Sequence, residues 1–289
     1  MKEVAGKTAF ITGGASGLGL AMARSFTGAG MKVAIADVQE DALAAAKEEF
    51  AESNADVITI LADVTDRDAL EDAARTTEAA FEKIHIVCNN AGVAVLGNVR
   101  EHSYGDWDWV MGVNLDGVIN GIKVFTDRLI AHGEGGHIVN TASMAGHLGI
   151  RNMSIYNTSK FAVVGMSECI AQDLAEYGIG VSVLCPGFVN TGIYTSERNR
   201  PDGLGGENAS HFDLNRVDYD SDEDKAAMQE SLDTMLEPSL IGDMVLYAIQ
   251  NDEFYIFSHP EYRDGVQERA QTILDAFDRW TDIMEDLKS

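Results

Sequence analysis

Short apolar runs alternate with longer stretches of helical period over the first two thirds of the chain. Lys7–Thr12, Lys32–Asp37, Asp56–Leu61, Ile84–Cys88, His137–Thr141 and Val181–Leu184 are compact runs rich in Val, Ile, Ala and Thr. Near-continuous apolar runs of this length suit strands buried on both faces of a parallel sheet. Between them, Gly17–Gly28, Gln39–Glu52, Asp66–Phe81, Asp106–Ala131 and Ile155–Tyr177 read as helices. Strict β–α alternation predicts an α/β, doubly wound (Rossmann) parallel sheet with right-handed crossovers and helices on both faces. No internal repeat or low-complexity linker precedes residue 190, so residues 1–289 are expected to form a single dinucleotide-binding and catalytic domain.

The pattern changes after Pro186-Gly187. Asn190–Glu237 is polar, lacks alternation and carries the acidic run Asp218–Asp224. A segment this long in a compact domain is usually a functional lid or a disordered loop, and residues 190–238 are expected to be a substrate lid. Pro238–Gln250 reads as a helix and Phe254–Ser258 as a strand. Apolar residues then recur in steps of three and four at Val266, Ala270, Ile273, Leu274, Phe277, Trp280, Met284 and Leu287. That spacing predicts an amphipathic C-terminal helix over 264–287. Its polar face is acidic, so it is expected to pack on its own subunit or a sister subunit rather than on lipid.

Charge narrows the partners. The 289 residues include 47 acidic and 21 basic side chains, a net charge of −26. Nucleic acid, whose phosphates need basic partners, is excluded, and anionic membrane surfaces and acidic acyl carriers are disfavoured. More than half of the acidic excess falls after Thr195, outside the motifs described below. The three cysteines, Cys88, Cys169 and Cys185, are too few and too scattered for a disulfide framework, and no metal-ligand spacing appears. All three lie in apolar surroundings and are expected to be buried thiols. The N-terminus reaches a glycine loop before a signal-peptide core develops, which predicts a cytoplasmic protein.

The first strand runs into Thr12-Gly13-Gly14-Ala15-Ser16-Gly17-Leu18-Gly19, which opens a helix. Glycines there let the backbone turn tightly and approach a pyrophosphate seated on the helix N-terminus, so Gly13, Ser16, Gly17, Leu18 and Gly19 are candidate cofactor-binding residues. Asp37 ends the second strand, 24 residues after Gly13. A carboxylate there accepts hydrogen bonds from the adenosine ribose and repels a 2′-phosphate. No basic side chain lies in the glycine loop or at Val38-Gln39, which favours NAD over NADP. Asp63 and Val64 after the third strand suit the adenine edge, and Asn90, Ala91 and Gly92 after the fourth suit close backbone approach to the cofactor.

Ser143 follows the fifth strand, Tyr156 comes 13 residues later and Lys160 follows at the fourth position beyond. Residues four apart share one helix face. A phenol has a pKa near 10, and a neighbouring ammonium lowers it by favouring the phenolate. Tyr156 and Lys160 with a hydroxyl opposite therefore form a candidate proton-transfer site for an alcohol/ketone pair.

TGGASGLG, Asn89-Asn90-Ala91-Gly92, Asn114 in Val113-Asn114-Leu115, Ser143, YNTSK and Pro186-Gly187 occur in an order that resembles the short-chain dehydrogenase/reductase family, in its ordinary single-domain branch. The resemblance is close over Lys7–Thr191 and looser beyond. It implies a seven-stranded parallel sheet with Phe254–Ser258 as the last strand. It implies Tyr156 as the acid/base, Lys160 lowering its pKa and binding the nicotinamide ribose, and Ser143 bonding the substrate oxygen. Asn114 would sit in the long helix and hold a water linking Lys160 to solvent. Pro186, Gly187, Val189 and Thr191 would border the nicotinamide, with Thr191 near its carboxamide. A homodimer or homotetramer built on the helices Asp106–Ala131 and Ile155–Tyr177 is also implied.

Candidate pocket walls follow the motifs: Val93, Ala94, Val95 and Leu96; Met144, His147, Leu148 and Met153; Phe188 and Val189; and Tyr194. The set is apolar, as small-molecule pockets often are. His147 is its one member that titrates near neutral pH, a pocket or surface histidine or an additional catalytic group. The long insertion and Phe257–Arg263 resemble a subgroup acting on bulky, often aromatic, secondary alcohols and ketones, among them Cα-dehydrogenases of lignin-type aryl ethers. The leading expectation is an NAD(H)-dependent dehydrogenase/reductase for such substrates. A 3-oxoacyl-carrier-protein reductase is the second and a non-catalytic dinucleotide-sensing regulator the third.

Overall fold

In the computed structural model, which describes residues 1–53, 55–204 and 221–288, seven parallel strands form one sheet. They are β1 (Thr8–Thr12), β2 (Lys32–Asp37), β3 (Val57–Leu61), β4 (Ile86–Asn89), β5 (Gly136–Thr141), β6 (Ile179–Cys185) and β7 (Tyr255–Phe257). The order across the sheet is β3-β2-β1-β4-β5-β6-β7, the doubly wound, seven-stranded arrangement expected.

Side chains alternate across the sheet, so its central strands feed two cores. Ile11, Ile35, Cys88, Val139 and Leu184 face α1 (Gly17–Gly28), α2 (Glu40–Glu52) and α8 (Pro238–Asn251). Phe10, Ala34, Val87, Ile138 and Val181 face α3 (Arg67–Phe81), α5 (Gly117–Ala131) and the C-terminal end of α6 (Ser154–Leu174). Phe10 and Phe125 meet at 4.5 Å between ring centroids. Asp66 starts α3 by accepting hydrogen bonds from the amides of Asp68 and Ala69, as an N-cap should.

Four expectations change. The long helix over Asp106–Ala131 begins earlier, with α4 (Tyr104–Met111), and is broken by a π-helical turn at Gly112–Asp116 before α5. The turn accommodates Asn114, whose side chain points inward and is fully buried; such bulges often mark functional positions. The helix Ile155–Tyr177 starts at Ser154, ends its α-helical part at Leu174 and finishes with a 3₁₀ turn over Ala175–Tyr177. Cys169 is exposed, because its place on α6 faces outward; Cys88 and Cys185 are buried as expected.

The fourth change concerns the tail. Helix α9 (Arg263–Lys288) forms where expected, yet none of its residues is buried. Val266, like Leu148 and Tyr262, packs against the buried cluster around Ala142, Val164 and Val183, and Arg269 lies 4.9 Å from the Phe161 ring. Phe277, Trp280 and Leu287 remain 70%, 58% and 79% exposed. Packing on its own subunit is therefore confined to the first turns. Of the expected lid over 190–238, residues 192–199 form kinked 3₁₀ turns and Asp222–Asp233 form α7. Residues 205–220, including the start of the acidic run Asp218–Asp224, lie outside the described residues. No helix among the described residues is long and apolar enough to cross a membrane.

At Gly19 a Cβ would lie 2.2 Å from the Gly13 carbonyl oxygen and 2.7 Å from Gly14 Cα. Both are backbone atoms of the turn that launches α1, so nothing there can yield cheaply. Gly19→Ala is expected to cost about 1–3 kcal/mol by overpacking. Urea unfolding should show it as a lower midpoint with an unchanged slope.

Candidate active site

The sheet order reverses direction between β1 and β4, and ligands of open α/β sheets bind at the carboxyl ends of strands beside such a switch point. A cleft of about 400 Å³ opens there. The loop after β1 forms its floor. Gly13 takes a φ of +60° and sits so close to the next loop that a Cβ would lie 2.8 Å from Ala91 Cα. Thr12 Oγ1 accepts hydrogen bonds from the amides of Asn90 (2.9 Å) and Ala91 (3.1 Å). Asn90 Nδ2 donates in return to the carbonyls of Thr12 and Gly13. The two loops are thus one hydrogen-bonded unit.

Asp37 ends β2 at the far end of this floor and is buried. Its Oδ2 accepts from the amide of Ala15 and its Oδ1 from the amide of Gln39, both at 3.1 Å. The carboxylate is thereby held beside the glycine loop, where hydroxyls of a ribose would find an acceptor. Strand, glycine turn, helix N-terminus and carboxylate together fit a nicotinamide dinucleotide.

The catalytic candidates meet at the opposite end. Tyr156 and Lys160 occupy successive turns of α6, and Lys160 Nζ stands 5.5 Å from the Tyr156 ring centroid. The Tyr156 phenol hydrogen-bonds Ser143. Ser143 Oγ donates to the Pro186 carbonyl (3.3 Å) and accepts from the amide of Ala145 (3.1 Å). Lys160 Nζ donates to the Thr141 carbonyl at 2.8 Å. Asn114 lies behind the wall rather than on it. Its Oδ1 accepts from the Val93 amide (2.8 Å), and its Nδ2 donates to the Val93 carbonyl (2.9 Å) and Ser159 Oγ (3.2 Å). A Cβ on Gly92 would lie 3.5 Å from Asn114 Oδ1 and 3.7 Å from Lys160 Nζ, so both side chains converge on that glycine.

Burial governs the ionisation of this cluster. It pushes the Tyr156 phenol up to about 12, against a smaller downward pull from the Ser143 hydrogen bond. It pushes Lys160 down to about 8. The lowering expected at Tyr156 from Lys160 does not set its pKa here: loss of hydration is the larger effect and the Ser143 hydrogen bond the only one that opposes it.

Most of the expected wall is assembled. Gly13, Ser16, Gly17, Leu18, Asp37, Asp63, Val64, Asn90, Ala91, Gly92, Pro186, Gly187, Val189 and Thr191 line the cleft with Ser143, Tyr156 and Lys160. Val93, Met144, Met153, Phe188 and Tyr194 complete the side expected for substrate. Gly19, Val95, Leu96, His147 and Leu148 are not on the wall; Val95 is buried in a separate cluster and Leu148 packs against the cluster of Ala142 and Val164. Gly19 lies beneath the turn, and Leu96 is buried away from the cleft. His147 points to the sheet edge, with Nε2 3.3 Å from Cys185 Sγ and its ring edge-on to Tyr255 and Phe257. Burial lowers its pKa.

Trp109, Ser196, Arg198, Leu204 and Tyr262 line the cleft without having been expected there. Trp109 had a signal, since in Trp107-Asp108-Trp109 on a short helix one ring must face inward. Arg200 joins the segment after Thr191 to α4. Its guanidinium bonds Asp106 at 2.8 Å and lies 4.3 Å from the Trp109 ring. Asp106 is meanwhile the reciprocal partner of Ser103 in the α4 capping box.

Residues 7–202 match the short chain dehydrogenase family. A C alpha-dehydrogenase of Sphingobium sp. strain NBRC 103272 / SYK-6 is 35% identical over 277 residues, 96% of this chain and 88% of that protein. A CLA biosynthesis dehydrogenase/reductase of Lactiplantibacillus plantarum is 34% identical over 95% of each chain. The crystal structure of a short chain dehydrogenase/reductase from Burkholderia phymatum in complex with NAD is 38% identical. It superposes with a TM-score of 0.86 over 94% of this chain and 96% of that one.

Lys160 carries a stability consequence. Below pH 8 it is protonated folded and unfolded, and the folded state bears the burial penalty. From about pH 8 to 10.5 the folded lysine is neutral while the unfolded one keeps its proton, so stability rises with pH in that window. Lys160→Met is therefore expected to be more stable than the parent at pH 7, by on the order of a few kcal/mol less about 1–3 kcal/mol for the Thr141 carbonyl left unpaired. Thermal melts should show the margin shrinking toward pH 10.

Proposed function

The chain belongs to the short-chain dehydrogenase family and is an oxidoreductase, and from that premise we propose that it interconverts a bulky hydrophobic or aromatic secondary alcohol and its ketone with NAD(H). The observation that carries this reading is the meeting of the Tyr156 phenol, Ser143 hydroxyl and Lys160 ammonium opposite a wall of Trp109, Met144, Met153, Phe188, Tyr194 and Tyr262. Beside these apolar residues the Ser143 and Tyr156 hydroxyls form a polar pair suited to one oxygen. Similarity to the C alpha-dehydrogenase along nearly the whole chain supports the same substrate class.

A bound nicotinamide supplies or accepts the hydride. The protein orients the substrate and handles its proton. Ser143 Oγ and the Tyr156 hydroxyl hydrogen-bond the carbonyl or carbinol oxygen. During reduction Tyr156 donates its proton to the developing alkoxide, a role suited to a phenol that burial keeps protonated at neutral pH. During oxidation Tyr156 must act as phenolate, and the Lys160 ammonium stabilises that charge. Asn114 anchors the Val93 backbone and the π turn behind Lys160. Asp37 receives the adenosine ribose hydroxyls, which favours NAD over NADP. The described start of the 190–238 segment, residues 191–204, lines the cleft and is assigned the part of a lid over the substrate, within one domain that works as a homodimer or homotetramer.

A panel of aryl ketones and secondary alcohols, followed by NADH and NADPH absorbance, tests the reading. Turnover should favour NADH, and a preference for NADPH would overturn the role given to Asp37. Tyr156→Phe should lower kcat/KM by roughly 10²–10⁴ with NADH affinity retained; full turnover in that variant excludes the tyrosine mechanism. With the phenol near 12 and phenolate needed only for oxidation, kcat/KM for the alcohol should climb from pH 7 toward 8, the range in which Lys160 keeps its ammonium.

A further inference from the structure

Among the described residues lining the cleft, Lys160 and Arg198 are the two that carry positive charge, and the chemistry proposed above uses only the first. Arg198 stands at the opposite end. Its Nε donates to Gln39 Oε1 at 3.0 Å, two residues beyond Asp37. Its Nη1 donates to the carbonyls of Gly192 and Thr195 at 2.8 Å and to Thr195 Oγ1 at 3.0 Å. Gly192 follows Thr191, whose side chain packs on the first residue of α1; a Cβ on Gly17 would lie 3.2 Å from Thr191 Cβ. The guanidinium therefore bridges the residue pair after β2 and the strap that touches the α1 N-terminus. It spans the rim of the groove assigned to ribose and phosphates.

We propose that Arg198 is a phosphate-binding residue for the dinucleotide, reaching it from the segment that crosses the cleft rather than from the glycine loop. The proposal rests on the dinucleotide reading above. Thr12–Gly19 contains no basic side chain, so the loop offers a phosphate backbone amides, the Ser16 hydroxyl and the fractional charge of a helix end, but no full positive charge. A chain of net charge −26 repels an anionic ligand, and a guanidinium at the rim supplies the missing local countercharge. Arginine meets phosphate through short, charge-assisted hydrogen bonds, stronger than neutral ones. Because Arg198 is held to Gly192 and Thr195, the same contact would fasten the segment over the cleft when cofactor binds. Two phosphate groups share this chemistry: the pyrophosphate common to NADH and NADPH, and the 2′-phosphate of NADPH alone.

Equilibrium titrations of the full chain, read by NADH or NADPH fluorescence, separate these cases. ADP and adenosine serve as competitors, and the proteins compared are the parent, Arg198→Lys and Arg198→Gln, each checked for an unchanged thermal melt. Arg198→Gln is expected to raise the dinucleotide Kd on the order of tenfold, with Arg198→Lys in between and adenosine unaffected. Equal weakening of NADH, NADPH and ADP assigns the pyrophosphate. Weakening confined to NADPH assigns the 2′-phosphate. Unchanged Kd values for both dinucleotides, or adenosine weakened as much as NADH, would show Arg198 to be only a brace for the 3₁₀ turns and would overturn the proposal. If the parent itself binds neither dinucleotide, the cofactor reading falls and takes this assignment with it.

Discussion

A sheet whose strands all run parallel has no hairpins; each connection must cross over one of its faces before the next strand begins. That requirement buries both faces and puts every strand's carboxyl end on the same edge. Here the chain leaves β1 toward β2 and β3, then returns to build β4 to β7 on the other side. The crossovers diverge between β1 and β4, and the edge above them stays open. The loops after β1, β2, β3, β4, β5 and β6 deliver Gly13, Asp37, Asp63, Asn90, Ser143 and Pro186 to that opening. The chemistry of the site is thus a consequence of winding, with residue identity chosen loop by loop.

Water exclusion has a cost in the same place. Lys160, Tyr156 and Asn114 are nearly or fully sealed, and buried polar groups are tolerated when they are hydrogen-bonded. Lys160 is bonded to the Thr141 carbonyl, Tyr156 to Ser143 and Asn114 to both polar groups of Val93. The π turn at Gly112–Asp116 is the backbone's share of that arrangement, because it lets Asn114 reach inward without interrupting the helix on either side. Burying the Lys160 ammonium gives up stability, and its hydrogen bond to the Thr141 carbonyl offsets part of that cost.

Much of this was legible in linear order. Strands buried on two faces have few sequences open to them, so KTAFIT and KVAIAD identify themselves. Glycines tied to close backbone approach, and a Tyr and Lys sharing one helix face, are local facts as well. What failed shares a cause. His147 and Leu96 were placed on the wall because they follow wall residues in the chain, but a loop's neighbours need not face the same way. Cys169 sits among apolar residues on a helix whose outward face is set by packing. The apolar stripe of α9 is real, yet amphipathic spacing says that a helix has a face without saying what meets it.

The order of motifs along the chain determined the fold class, the glycine-loop floor, the Asp37 carboxylate and the Ser143, Tyr156 and Lys160 cluster, because each depends on contacts within one strand–turn–helix unit or on the fixed periods of helix and strand. The tertiary structure alone decided the rest of the cleft: Trp109 beneath Arg200, Tyr262 at the substrate end, and Arg198 brought to Gln39 across 159 positions of sequence. The physical reason is range. Periodicity and capping act over a few residues, while the direction in which a crossing segment lays its side chains is set by the packed surface it crosses.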